Sequence, residues 1–361
     1  MIDPVELLRG AVAIPSVSGS EGGVARFLLD RIGAFADESW IDEVGNVVAT
    51  LGRGSLRCFV LGHIDTVPGV VPVELRDGRL YGRGTVDAKG PFCAAVAAAS
   101  KLPNEVLKAL TLTLIGAVEE EVSSSRGAHH AVSTLPRPDL LVVCEPSGWD
   151  GITLGYKGQL WAELSLVAAN VHSSTDEPSV AERLVDAWLR IRSWVHEAGP
   201  EGVRAFDRIQ PHLEDVAVER DGLSVRARAQ VGFRLPLQWT PEALAEALSA
   251  LDLDGVQIDF SRGERAYKAP VDSVVARAFR VAIREEGARP RVTVKTGTAD
   301  LNVVAPYWPV PMLAYGPGDS GLDHRPDEHI RVGEYLQSIA VWRGALARLA
   351  ATAPRVRSSS E

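Results

Sequence analysis

RCFVLGHIDTVP, residues 57–68, joins an uninterrupted apolar run to a histidine and an aspartate spaced two apart. Arg57–Gly62 reads as a strand, and the pattern recurs. Thr111–Val118 and Asp139–Cys144 are continuous apolar runs of strand length, as expected for strands covered on both faces. Helical patterns fall between and around them: Asp3–Gly10, Ser20–Phe35 and the Ala-rich Pro91–Leu102, which opens on a proline where a missing N–H does no harm. Asn46–Leu51 is a further strand, and Leu80–Gly84 a short strand or turn. This alternation predicts an α/β fold: a mixed, mostly parallel sheet with helices on both faces.

The texture changes near Gly158. Leu160–Val167 alternates like a half-exposed strand, and Val180–His196 is an amphipathic helix with Trp188, Ile191 and Trp194 on its buried side. Leu223–Leu235 alternates again, Pro241–Leu251 is helical, and Gly255–Phe260 is another strand. That β-α-β-α-β order suits helices on one face of an antiparallel sheet. A helix at Val271–Glu286, strands at Val292–Lys295 and Pro309–Tyr315, and a helix at Val332–Leu349 complete the chain. The parse is one discontinuous domain, residues 1–157 and 265–361, interrupted by an inserted α+β domain, residues 158–264.

Bulk properties narrow the function. The 361 residues carry 38 Lys+Arg against 47 Asp+Glu, a net charge of −9, so the basic footprint of a nucleic-acid binder is absent. Three cysteines, Cys58, Cys93 and Cys144, make no disulfide framework or zinc ribbon and suit a reducing cytoplasm. Met1–Arg9 lacks the basic start of a signal peptide, and no apolar stretch reaches the roughly 20 residues that span a bilayer. The expectation is a cytoplasmic protein.

The placement of metal-type ligands is the informative feature. Cys58–Gly62 ends in His63, Thr111–Val118 ends in Glu119-Glu120-Glu121, and Asp139–Cys144 ends in Glu145. His324 follows the late strand after a Gly-Pro-Gly loop, and Asp87 lies between a Gly-rich turn and a helix start. Open α/β sheets bind ligands beyond the carboxyl ends of their strands. His63, Asp87, Glu121, Glu145 and His324 therefore share one edge. A carboxylate and imidazole set suits zinc, cobalt or manganese. Five ligands exceed one catalytic site of three, whereas one shared carboxylate would give two three-ligand sites. Simpler readings stand beside this one: Asp87 as a helix cap, Glu145 as a helix-start acid, Glu119–Glu121 as a solvated run, and His329 in place of His324. The turn GRGTVD lacks the third glycine of a dinucleotide fingerprint.

HIDTVP at His63–Pro68, GRGTVDAKG at Gly82–Gly90, VEEEV at Val118–Val122, CEP at Cys144–Pro146 and HRPDE at His324–Glu328 together resemble the M20 metallopeptidases and deacylases. The five motifs stand in the family's order across nearly the whole chain. GYKG at Gly155–Gly158 and KTGTADLN at Lys295–Asn302 are similar to the enzymes that release lysine or ornithine from an amino-group carrier protein, within the acetylornithine deacetylase branch.

The resemblance implies a zinc-peptidase-like catalytic domain, a lid and dimerisation role for the insert, a homodimer, and two zinc or cobalt ions per subunit. Asp87 would bridge the ions, with His63 and Glu145 on one and Glu121 and His324 on the other. Glu120 would be the general base and Asp65 would orient His63. The family usually shows Asp-Glu-Glu where this chain has three glutamates. Aligning Gly127-Ala128 with the family's downstream Gly-Ala favours Glu120 as base and Glu121 as ligand, while Glu119 and Glu120 form the alternative register. His172, in NVHSS, matches the lid histidine that stabilises the oxyanion. Arg234, in VGFRLP, matches an arginine that grips a substrate carboxylate, and Lys157 and Thr298 are further substrate contacts. The implied activity is release of lysine or ornithine from the C-terminal glutamate side chain of the carrier, in lysine or arginine biosynthesis. Acetylornithine deacetylation or dipeptide hydrolysis would use the same mechanism, and a metal-free binding homologue is the rival of another class. Because such carriers are acidic, docking would call on arginines such as Arg262, Arg265, Arg289 and Arg291.

Overall fold

The computed structural model describes residues 2–170, 176–199 and 203–353. The described parts divide into two compact units, one drawn from Met1–Gly155, Ala269–Val294 and Ala299–Glu361, the other from Tyr156–Lys268 and Lys295–Thr298.

The first unit is organised by a mixed sheet. Its order begins Glu38–Ile41, Val47–Leu51, Leu110–Ala117, Leu56–His63, Leu140–Val143, Met312–Ala314 and Gly151–Tyr156. The strand ending at His63 is parallel to both neighbours, and Met312–Ala314 is parallel to Leu140–Val143. The strands outside these are antiparallel. Register sets His63 beside Ala117 and Leu61 beside Val143, so three chain segments leave the sheet at one edge.

Both faces of the His63 strand are covered, which is why it is apolar without alternation. On one face Gly62, and its register partner Gly116, admit the ring of Phe92. A Cβ at either glycine would stand 3.0–3.1 Å from that ring. On the other face Phe59 meets Trp308 edge to face at 5.4 Å. Phe92 belongs to the helix Lys89–Ala99, all of whose residues are buried. The closing helix Val332–Ala351 packs on it and on Val274–Glu285. A small sheet pairs His329–Arg331 with Arg79–Tyr81 and so joins the segment after His324 to the one before Asp87.

The second unit is a four-stranded antiparallel sheet in the order Gln210–Arg220, Ser224–Leu235, Gly158–Ala169, Gln257–Phe260. Gly158–Ala169 alternates buried and half-buried positions over most of its length. Helices Val180–Glu197 and Pro241–Ser249 contribute Leu184, Trp188, Ile191, Leu244 and Leu248 to a core shared with Leu160, Leu164, Val231 and Phe233. Ser179 and Glu182 close a capping box on the first helix. Trp194, expected on the buried side, is partly buried and stacks edge to face on Trp239.

Several strands escape sequence reading, among them Glu38–Ile41, Gly151–Tyr156 and Gln210–Arg220. Gln210–Arg220 is mostly exposed and shows no buried alternation, yet it pairs with Ser224–Leu235 along nearly its whole length. It is an edge strand, held by backbone bonds that leave no hydrophobic period. The helix Arg126–Thr134 is likewise unannounced, since it buries only Gly127, Ala128 and Ala131. Among the described residues no helix is long and apolar enough to cross a membrane.

Candidate metal centre

Where the parallel strands end, the chain turns polar and a single carboxylate organises the turn. Asp65 is fully buried. Its Oδ2 accepts from Ser18 Oγ at 2.7 Å and from the Glu121 N–H at 3.0 Å, and its Oδ1 accepts from the Glu120 N–H at 3.1 Å. The His63 Nδ1 lies 3.2 Å from the Asp65 carbonyl and 3.4 Å from Oδ1. Both are acceptors, which puts the proton on Nδ1 and turns Nε2 toward the site. Burial opposes charge on Asp65, but the imidazole and the bonds from Ser18 and Glu121 hold it below the usual carboxylate range.

Asp87 is the centre of the constellation. Its Oδ1 stands 3.1 Å from His63 Nε2, and its Oδ2 stands 3.1 Å from His324 Nε2. His324 Nε2 is also 3.1 Å from the Glu121 carboxylate. Ligand atoms of His63, Asp87 and Glu121 all fall within 4.8 Å of one another. With bonds of about 2.0 Å to zinc, two ligands on a tetrahedral ion stand about 3.3 Å apart, so these separations fit a bound cation. The simpler readings of two residues do not fit. The helix at Lys89 is capped by Ala88 with no side-chain bond, so Asp87 does not cap it. After Glu145 the chain runs to the strand Gly151–Tyr156, so no helix begins there.

The three glutamates diverge. Glu119 sits at φ 57° with its carboxylate on Arg126 Nη2 at 2.7 Å and Ser124 Oγ at 2.7 Å. Glu121 faces His324. Desolvation pushes the Glu120 carboxyl well above the usual range; His63 opposes this, and Glu145, Asp300 and Glu121 add to it. Glu145 is buried at this same edge. Burial disfavours a charged His63, yet its bonds to Asp65 and Asp87 raise its pKa well above the ordinary value. Bonds to Asp87 and Glu121 raise His324 to about 10. The site thus draws positive charge onto both imidazoles, the demand that divalent ions would meet.

In the second unit Arg234 Nη1 donates to Gln159 Oε1 at 3.1 Å and Thr298 Oγ1 at 2.8 Å, and the Thr298 hydroxyl donates to the Lys157 carbonyl. Lys157 departs from its expected role. It is fully buried, and its ammonium donates to the carbonyls of Ala205 and Arg208 and to Gln210 Oε1. Three acceptors use its three protons, so it braces this unit rather than a substrate. His172 lies outside the described residues. Of the arginines expected to dock a carrier, Arg262 pairs with Glu264, Arg265 with Glu242 and Arg291 with Asp150.

Two organising residues carry no signal of their own in the sequence. Glu21 is buried and accepts from the Gly19 and Glu119 N–H groups. Glu328 stands in the sequence only as the end of HRPDE, yet it binds the loop that carries Asp87.

Known proteins resemble this chain over nearly its whole length. The profile described as peptidase family M20/M25/M40 matches residues 59–348. A protein of Deinococcus radiodurans named LysW-lysine hydrolase is 47% identical over 352 residues, covering 95% of this chain and 96% of that one. The M20 family metallo-carboxypeptidase of Sulfolobus solfataricus superposes with a TM-score of 0.81 at 20% identity, over 97% of this chain and 100% of that one. A Bacillus subtilis protein described as a dinuclear metal binding peptidase of the M20 family has a TM-score of 0.66 at 13% identity, over 97% and 98% of the two chains.

Two expectations arise from the geometry. Asp65→Ala removes the carboxylate beside His63 Nδ1, leaving it the backbone carbonyl alone, and frees the N–H groups of Glu120 and Glu121, so metal affinity, read by calorimetric titration, should fall about 10–100-fold. Burial, with repulsion from Arg208 and Arg234, lowers Lys157 from 10.5 to about 8. Between about pH 8 and 10.5 the unfolded chain therefore holds more protons, and this group makes stability rise with pH across that window. The slope of melting temperature against pH should flatten there in Lys157→Met.

Proposed function

This chain belongs to peptidase family M20/M25/M40, and from that premise we propose that it is a metal-dependent amidohydrolase releasing lysine from the C-terminal glutamate side chain of an amino-group carrier protein. The observation that carries the reading is Asp87, whose two carboxylate oxygens each stand 3.1 Å from a different imidazole. That is the disposition of a bridging ligand. His63 and Glu145 would hold one ion, Glu121 and His324 the other. Zinc or cobalt bound there would polarise the scissile carbonyl and lower the pKa of water.

The protein's own groups do the rest. Glu120 takes a proton from the attacking water and delivers it to the α-amine of the departing lysine. Its desolvated carboxyl, raised well above the usual range, is suited to both halves of that transfer. Asp65 keeps His63 in one tautomer and fixes the backbone of Glu120. Arg234, steadied by Gln159 and Thr298, would receive the carboxylate of the lysine. His172 would donate to the oxyanion.

The finer parts of the reading are a homodimer through the second unit, action on carrier-linked ornithine in arginine biosynthesis, and residence in the cytoplasm. The first is supported by the long edge strand Gln210–Arg220, with Leu213, Val216 and Val218 exposed, and by exposed Val185 and Leu189 on the neighbouring helix.

Substrate choice is tested by competition. Metal-loaded protein is offered carrier-linked lysine, carrier-linked ornithine, acetylornithine and dipeptides together, and consumption is followed by mass spectrometry. Carrier-linked lysine should disappear first; preferential use of acetylornithine or a dipeptide would keep the mechanism and remove the carrier. The two glutamates separate by phenotype. Glu120→Ala should retain metal and lose about 10²–10⁴-fold in kcat, whereas Glu121→Ala should lose metal as well. Loss of metal in Glu120→Ala, with Glu121→Ala keeping both metal and turnover, would assign the register to Glu119 and Glu120.

A further inference from the structure

Of the five ligand-bearing residues, Asp65 holds His63 and the Glu121 amide; Asp87 and His324 are held differently. A second buried carboxylate reaches both. Glu328 is fully buried. Its Oε1 accepts from the Gly84 and Val86 N–H groups at 2.9 Å each and from the Asp87 N–H at 3.3 Å. Its Oε2 accepts from Arg83 Nη1 at 2.7 Å, and Arg83 Nη2 donates to the His324 carbonyl at 3.4 Å. The Glu328 carbonyl receives the Gly82 N–H at 3.2 Å. Four donors converge on a group with about four acceptor sites, so Glu328 is not itself available as a ligand.

The turn is shaped for this contact. Gly84 has φ 89°, and a Cβ there would stand 3.0 Å from Thr66 Cγ2 and 3.1 Å from Lys89 Cδ. Three backbone donors can then face one oxygen across the Gly84–Asp87 segment. His324 itself has φ 61°, a left-handed conformation that a non-glycine residue adopts at a cost. Arg83 holds its carbonyl from the other side of the clamp.

We propose that Glu328 is a positioning residue that sets Asp87 and His324 in ligand geometry, and that it supports one of the two ions selectively. His63, Glu120 and Glu121 are held through Asp65; Asp87 and His324 are held through Glu328 and Arg83. The ion assigned to Glu121 and His324 depends on the Glu328 clamp for both His324 and the facing Asp87 oxygen. The ion assigned to His63 and Glu145 depends on it only through Asp87. This deepens the two-ion reading and rests on it.

The test compares metal-stripped wild type, Glu328→Gln and Arg83→Met. Each is titrated with Zn²⁺ by calorimetry and with Co²⁺ by absorption, alongside a melting curve. Glutamine keeps one acceptor oxygen but turns an amide NH₂ on the Arg83 guanidinium, and Arg83→Met removes that half alone. Wild type should bind two ions. In Glu328→Gln one step should weaken about 10–100-fold with the other unchanged, and excess metal should restore kcat with KM unmoved. Arg83→Met should weaken the same step by less, and it decides the question alone if Glu328→Gln does not fold. Two unchanged steps, or two steps that fall together, would overturn the clamp. A wild type that takes up fewer than two ions would overturn the two-ion reading beneath it.

Discussion

A carboxylate removed from water costs several kcal/mol unless its acceptor sites are filled, and Asp65 fills them with groups that all belong to the site. Ser18, the Glu120 and Glu121 amides and the His63 ring are its partners. The arrangement works because His63 and Ala117 are neighbours in register on parallel strands. Sheet hydrogen bonds bring the two strand ends level, and Asp65 then fixes the loop that leaves each of them. Rotamer, tautomer and loop backbone are set by one group, so the geometry of His63, Glu120 and Glu121 is a property of the fold.

The same edge gathers Asp87, Glu120, Glu121 and Glu145, with His63 and His324 supplying counter-charge. Desolvation, with repulsion from neighbouring carboxylates, pushes Glu120 and Glu121 upward, while Asp87, flanked by two imidazoles, is held down despite its burial. Such crowding is a poor way to stabilise a fold and a good way to bind cations. Backbone strain points the same way. Glu119 and His324 both lie in the left-handed region, at a cost of order 1–3 kcal/mol each; the first adjoins Glu120 and the second faces Asp87 and Glu121. At Glu119 the cost is offset by Arg126, Ser124 and Glu21.

The legible part of this molecule is what periodicity and position encode. Buried parallel strands announce themselves as apolar runs, and a polar residue at the carboxyl end of each is conspicuous, which is how His63, Glu121 and Glu145 enter the candidate set. Asp87 is marked by its Gly-rich turn and His324 by its glycine loop. The hidden part depends on contacts distant in sequence. Glu328 looks like any acid near a chain end until Arg83 and the Gly84 amide are seen around it. The strand Gln210–Arg220 is exposed over most of its length and is held by its neighbour's backbone. Lys157, in a motif shared with substrate-binding enzymes, turns inward because three acceptors from residues 205–210 surround its ammonium.

The partners at this edge are separated by more than half of the polypeptide: Arg83 and Glu328 lie 245 residues apart, and His324 and Glu121 lie 203 apart. Closing such loops is entropically slow and must precede the gain from the contacts they make. During synthesis the N-terminal strands, with His63, Asp87 and Glu121, leave the ribosome long before the segment that completes them. A nascent chain at that stage exposes a carboxylate cluster with one of its two imidazoles still untranslated. The proposed centre therefore cannot be assembled until the segment that carries His324 has been made.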